Sequence, residues 1–108
     1  MFNSMMGVEV AKQIAHSLLK TGAIKLNLVD PFIWTSGWKS PIYCDNRSTL
    51  GDVQVRSQIC NAFVDLIRLK YPDAEVIAGV ATGAIAQGML VAEKLNLPFA
   101  YVRAKQKE

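Results

Sequence analysis

Cysteine is scarce in this sequence of 108 residues, which contains only Cys44 and Cys60. One pair does not make a disulfide framework, and no Cys-x-x-Cys or Cys/His spacing suggests a zinc site. An excess of one charge is also lacking, because 12 Lys and Arg against 9 Asp and Glu give a formal net charge of +3. A charge this small suits an anionic ligand but does not argue for nucleic acid as a partner.

Long apolar runs are absent as well. The N-terminus, MFNSMMGVEVAKQ, has no charged segment followed by an apolar one, so it does not resemble a signal peptide. No apolar stretch approaches the roughly 20 residues that a membrane-spanning helix needs. We therefore expect a reduced, cytoplasmic protein without a membrane partner.

What is present indicates one small domain with one core. Apolar residues make up 51% of the sequence, which excludes a disordered chain. They repeat at helical spacing over 8–20 and 52–70, and Asp52 is a candidate N-cap of the second helix. Between these helices, 23–46 contains short β-rich pieces separated by turns, which predicts small, largely antiparallel strands.

The most informative stretch is 74–103. AEVIAGV is a continuous apolar run, typical of a parallel strand that is covered on both faces. IAQGMLVAEKL is apolar nearly all round and predicts a buried helix near 84–95, and PFAYV predicts the next strand. This β–turn–α–β order predicts an α/β fold in which strands near 75–80 and 98–103 are parallel.

The carboxyl ends of these two strands carry candidate binding chemistry. Residues 79–84, GVATGA, form a loop of small side chains that opens a helix, where free N–H groups favour an anion. Arg103, Lys105 and Lys107 would share one face of a continued strand, and three cations beside such a loop would suit a polyphosphate. The same features also fit tight packing and a solvated chain end, so both interpretations stay open. GVATGA matches neither GxGxxG nor a Walker A loop.

Three segments together resemble orotate phosphoribosyltransferases: TSGWKSPIYCDNR (35–47), VIAGVATGAIAQG (76–88) and PFAYVRAKQK (98–107). They occur in the family's order and spacing, and the similarity covers nearly the whole chain from about residue 9. It implies a partial type I phosphoribosyltransferase fold, with a parallel sheet flanked by helices and a small N-terminal hood. It also implies a single incomplete domain over 1–108, with the helix and hood in about 1–50 and the start of the α/β core in about 51–108.

Enzymes of this family join orotate to the ribose of phosphoribosyl pyrophosphate (PRPP), with Mg²⁺ as cofactor. They release pyrophosphate and make orotidine 5′-monophosphate for pyrimidine (UMP) biosynthesis. The resemblance therefore implies a pentosyltransferase with orotate and PRPP as substrates. By position it implies that Tyr43 and Cys44 bind orotate, and that Thr82, Gly83 and Ala84 hold the pyrophosphate group of PRPP.

The resemblance extends to the basic tail. Arg103 and Lys107 match the arginine and one lysine of a mobile loop that reaches PRPP, typically in the neighbouring subunit of a homodimer. Lys107 is then the candidate catalytic residue. The family also often has a cis peptide at the position of Ala81–Thr82, so we expect one here.

The sequence departs from the family pattern in two ways. Some members carry lysine where this chain has Thr35, Gly83 and Ala104, although another branch lacks the first two lysines. The family also continues beyond Lys107 with His-Gly, a strand ending in an acidic pair, and a turn that grips the ribose 5′-phosphate. Because these anchors are missing from the 108 residues, we expect this fragment alone to be inactive.

Two alternatives remain open from the sequence. One is a non-catalytic phosphoribosyltransferase-like protein that binds a purine or another effector, although KSPIYCDNR argues against it because purine enzymes lack that hood. The other is a small anion-binding module that is related only by fold.

Overall fold

The computed structural model describes residues 4–105, with side chains from residue 7 onward. The described residues form helices and strands in alternation, which confirms the predicted α/β class. In chain order the elements are α1 (Ser4–Lys20), β1 (Ile24–Leu26), β2 (Phe32–Ile33), β3 (Lys39–Ser40), β4 (Ile42–Cys44), a 3₁₀ helix (Asn46–Gly51), α2 (Val53–Lys70), β5 (Ile77–Val80), α3 (Ile85–Leu95) and β6 (Phe99–Val102).

Local hydrogen bonds explain where the helices begin and end. The side chain of Asp52 accepts a hydrogen bond of 3.0 Å from the backbone N–H of Val55, so it caps α2 as predicted. Asn96 ends α3 in the left-handed conformation, with φ at 57°. The N-terminal helix starts at Ser4, earlier than the predicted residue 8.

Residues 24–44, here called the hood, contain two small antiparallel pairs, as predicted. Strand β1 pairs with β4, and β2 pairs with β3. Gly37 lies in the turn between β2 and β3 with φ at 91°, a conformation that glycine adopts without steric cost. The indole Nε1–H of Trp34 donates a hydrogen bond of 2.9 Å to the carbonyl of Ile42, which ties the two pairs together.

Strands β5 and β6 are parallel neighbours, with Ile77 opposite Phe99, which confirms the predicted β–turn–α–β unit. Helix α3 lies against them, and two glycines allow its close approach. A Cβ atom at Gly79 would lie 2.6 Å from the carbonyl oxygen of Ala84, and one at Gly88 would lie 2.7 Å from the ring of Phe99. These glycines are therefore required by packing.

The core lies between α2, α3 and one face of this sheet. Buried Cys60, Val64 and Val91 form its centre, and Ile67, Ile77 and Leu95 pack around it. The expected cover on both faces of β5 is wrong for the described residues, because α2 and α3 lie on the Ile77 face. Val80, on the other face, is 62% exposed.

Helix α3 is likewise not buried all round as expected. Val91 and Ala92 are buried, but Met89 and Leu90 are partly exposed. Only those sides of an apolar helix that contact neighbouring elements become buried. The amino-acid composition of the helix does not show where those neighbours lie. In the described part of the chain, no helix combines the length and apolar composition needed to cross a membrane.

Candidate functional site

The loop Ala81–Ala84 follows β5 at its carboxyl end and leads into α3, where the sequence placed it. It is anchored at both ends, because the N–H of Ala81 donates to Val102 O (2.8 Å) and that of Ala84 donates to Val80 O (3.0 Å). The Ala81–Thr82 peptide is cis, as the resemblance implied.

The middle of this loop leaves backbone donors free. No acceptor among residues 4–105 takes a hydrogen bond from the backbone N–H of Thr82 or Gly83, and both residues are exposed. They precede the N-terminus of α3, where the helix dipole is positive. This arrangement can bind an anion through backbone donors.

The end of the hood strand β4 carries the two residues predicted to bind orotate. The ring of Tyr43 lies 5.7 Å from that of Phe32, tilted by 38°. The Cys44 thiol donates to Oδ1 of Asn46 at 3.2 Å. Both side chains are exposed, so each is accessible to a ligand beside the hood.

Directly after the hood, Asp45 and Arg47 form a two-pronged ion pair. Arg47 Nε–H donates to Asp45 Oδ1 at 2.9 Å, and Nη2–H donates to Oδ2 at 3.0 Å. The hydrogen bond from Arg47 lowers the pKa of Asp45, and the same bond raises the pKa of Arg47. Asp45 is therefore a charged, engaged carboxylate rather than a free general base.

One cavity of about 430 Å³ brings the hood strand and the loop together. Its lining is apolar along α1 and α2 and polar where the hood meets the loop. It is lined by Ile14, Leu18, Cys44, Asp45, Asn46, Arg47, Thr49, Leu50, Ile59, Phe63, Gly83, Ala84 and Gln87. Three of the predicted site residues, Cys44, Gly83 and Ala84, thus share a cavity large enough for a small molecule.

Three other predicted site residues, Tyr43, Thr82 and Arg103, do not line this cavity. Tyr43 and Thr82 adjoin lining residues in sequence but do not line it. Arg103 is exposed, and its guanidinium carbon lies 5.7 Å from the centre of the Tyr101 ring, a cation–π distance. Lys107, predicted to be catalytic and to bind PRPP, lies outside the described residues.

Sequence reasoning missed Arg47 and Gln87 as cavity residues. The Asp-x-Arg spacing after a strand was a usable signal for the ion pair, because such a pair closes readily across a turn. Gln87 was visible as the polar residue within the apolar run IAQGMLVA, but no rule of spacing says which way its side chain points.

The described residues do not form a magnesium site of their own. Across the described range, no group of three or more His, Cys, Asp or Glu side chains could hold a metal ion. Asp45 is the acidic residue of the cavity, and Arg47 occupies both of its oxygens. Mg²⁺ commonly binds through substrate phosphates and water with few protein ligands, so a bound ion would depend on such oxygens.

Comparison with known proteins finds relatives that share one name. No protein-family model matches the chain. Orotate phosphoribosyltransferase of Cytophaga hutchinsonii is 54% identical over 97 residues, which are 90% of this chain and 46% of that protein. The enzyme of the same name from Streptococcus sanguinis is 52% identical over 99 residues, covering 92% of this chain and 47% of the relative.

A solved structure agrees with these relatives. The crystal structure of orotate phosphoribosyltransferase from Aeropyrum pernix superposes with a TM-score of 0.74 at 30% identity, over 88% of this chain and 52% of that one. The match confirms the partial type I phosphoribosyltransferase fold. Over about nine-tenths of its length, the chain is therefore a homologue of the orotate phosphoribosyltransferases, and it spans about half the length of the curated relatives it matches.

Proposed function

We propose that this chain supplies the orotate-binding and pyrophosphate-binding parts of an orotate phosphoribosyltransferase. In that reaction a ring nitrogen of orotate forms a bond to C1 of the ribose of PRPP. The bond from that carbon to the pyrophosphate oxygen breaks, and its electron pair leaves with pyrophosphate. The ring nitrogen gives up its proton as the new bond forms. The protein must therefore hold two anions side by side and stabilise the charge that develops on the leaving group.

The observation that carries this proposal is the shared cavity. Cys44 comes from the hood and Gly83 and Ala84 come from the loop after β5, yet all three line one space of about 430 Å³. A base held at the hood and a pyrophosphate held at the loop would then be adjacent. Such adjacency is the geometric requirement for transfer between them.

Each predicted residue has a proposed role. Tyr43 offers an exposed aromatic ring and Cys44 an exposed thiol for orotate, while Thr82, Gly83 and Ala84 offer backbone N–H groups or close approach for the pyrophosphate of PRPP. Arg103 and Lys107 would neutralise the leaving group, with Lys107 as the catalytic cation. The exposure of Arg103 supports a role toward a ligand or a second subunit.

Further parts of the proposal rest on the resemblance and, for the location and the excluded partners, on the composition of the sequence. They are Mg²⁺ carried in with the phosphates of PRPP, a homodimer, a cytoplasmic location, and partners that include neither nucleic acid nor membrane. The same applies to the division into an N-terminal helix and hood in about 1–50 and the start of an α/β core in about 51–108.

The experiment is a turnover assay on the complete protein as encoded in its source. We expect orotidine 5′-monophosphate and pyrophosphate to form in equal amounts from orotate, PRPP and Mg²⁺. Adenine in place of orotate is the matched control and should give no nucleotide. Orotate binding without product would indicate a binding protein, whereas product from adenine would indicate a purine enzyme.

A further inference from the structure

Gln87 is a partly buried residue whose side-chain amide lacks a hydrogen-bond partner among the described residues. Both Nε2 and Oε1 are shielded from solvent, and no partner for either is found among residues 4–105. Burying an amide without hydrogen bonds destabilises a fold, so a protein gains nothing from this arrangement by itself. Buried unpaired groups in native proteins call for an explanation.

An ordinary structural explanation does not apply. Gln87 is the third residue of α3, where a glutamine can bond back to the N–H of the N-cap residue. Here the N-cap is Ala84, and its N–H already donates to Val80 O at 3.0 Å. The side chain of Gln87 is thus not part of a capping box.

The position of Gln87 relates it to the candidate site. It lines the same cavity as Cys44 of the hood and Gly83 of the loop. The neighbouring Asp45 and Arg47 satisfy each other, so the carboxamide of Gln87 is the polar group in this lining with both its donor and its acceptor unused.

The chemistry of a carboxamide favours one kind of ligand. The carboxamide presents a donor, the Nε2–H group, and an acceptor, Oε1, side by side. Rotating the amide by about 180° exchanges their positions but still offers one donor and one acceptor. A phosphate would use the donor but would face an unfavourable acceptor oxygen. The –CO–NH– edge of a pyrimidine ring uses both, in the way that glutamine pairs with a base edge.

We propose that Gln87 is a specificity-determining residue that pairs with a –CO–NH– edge of the orotate ring. This inference rests on the proposed function and assigns the base-reading role to α3 as well as to the hood. Because both amide atoms are shielded in the structure, this pairing requires the side chain to turn into the cavity, and the cost of burying the unpaired amide is removed when the base binds.

The test is Gln87→Met in the complete protein. Methionine has a similar length and no amide, so it removes the unpaired groups while largely filling their space. We expect an unchanged or raised Tm, a KM for orotate increased about tenfold, and an unchanged KM for PRPP. A structural role would not separate the two substrates in this way.

Two glutamines of α2 provide matched controls. Gln58 Oε1 accepts a hydrogen bond of 2.5 Å from Ser17 Oγ, so Gln58→Met should lower the Tm. Gln54 is exposed and lies outside the cavity, so Gln54→Met should change neither the Tm nor either KM.

Three results would contradict the proposed role of Gln87. A Gln87→Met protein with a Tm lowered as in Gln58→Met would show that the amide is already bonded, to water or protein, and would overturn the proposal. Unchanged KM for orotate would overturn it as well, while leaving the proposed function intact. Absence of orotate turnover in the unmodified protein would overturn the proposed function and this inference together.

Discussion

At the scale of single residues, the two cysteines occupy opposite environments. Cys60 belongs to the core and is 6% exposed, and burial raises the pKa of its thiol. Cys44 is exposed at the end of the hood strand. Cys60 falls among the apolar positions of α2 that face the core, which accounts for its burial.

This difference predicts selective alkylation. Treated with iodoacetamide at pH 8, Cys44 should react at least about tenfold faster than Cys60, because the thiolate is the reactive form and Cys60 is both shielded and protonated. Peptide mass spectrometry measures the two rates. Orotate should slow the labelling of Cys44 and leave Cys60 unchanged. Equal rates for both cysteines would contradict the assigned burial.

The Asp45–Arg47 pair gives a pH prediction. In the folded protein the pKa of Asp45 lies below its ordinary value of 3.8 because Arg47 donates to it. The resulting stabilisation is present above pH 3.8 and is lost as pH falls through the lower folded pKa. It is small, since the pair is exposed to solvent.

Arg47→Ala tests this effect directly. An NMR titration of the Asp45 carboxyl should show its pKa rising toward 3.8 in the variant, and the difference in Tm between the two proteins should shrink below that pH. Arg56→Ala is the control, because Arg56 donates to the carbonyl of Leu50 instead. If Asp45 titrates identically in both variants, the ion pair does not persist in solution.

At the scale of elements, close packing of α3 on the sheet yields a third prediction. A Cβ at Gly79 would meet the backbone oxygen of Ala84 at 2.6 Å, whereas one at Gly83 would have open space. Gly79→Ala should lower the free energy of unfolding by about 1–3 kcal/mol, and Gly83→Ala should change it by less than about 0.5 kcal/mol. Denaturant unfolding measures both. A tolerated Gly79→Ala would show that the helix does not approach as closely as described.

The positions of the helices and strands were largely predictable from the sequence, but the solvent exposure of their side chains was not. Apolar periodicity indicated α2, and Asp52 marked its start through local capping chemistry. The 3₁₀ helix at Asn46–Gly51 was missed because its bonds are short-range and leave no apolar period. The Val80 face of β5 was wrongly expected to be covered. An apolar run indicates that a strand favours burial, but it does not show which element packs against the strand.

For the site, the sequence predicted the residues of the loop and hood but not their relation. Cys44 and Gly83 are separated by a whole helix in the chain, and only tertiary packing brings them to one cavity. Gln87 was not predicted at all, because the direction of a side chain depends on neighbours that are distant in sequence.

At the scale of the whole molecule, two layers meet at the candidate site. The end of the hood, the 3₁₀ helix and α1 line part of the cavity, α3 with its preceding loop lines another part, and α2 contributes apolar side chains. The central claim is that these parts bind one substrate pair, with the base at the hood and the pyrophosphate at the loop.

The most direct test is an NMR titration of the ¹⁵N-labelled complete protein with orotate and with inorganic pyrophosphate. The account predicts that orotate shifts the amide signals of Tyr43 and Cys44, together with the side-chain amide of Gln87. Pyrophosphate should shift the backbone amides of Thr82 and Gly83, and the second ligand should still bind when the first is saturating. Shifts confined to surfaces away from this cavity, or competition of the two ligands for one set of residues, would contradict it.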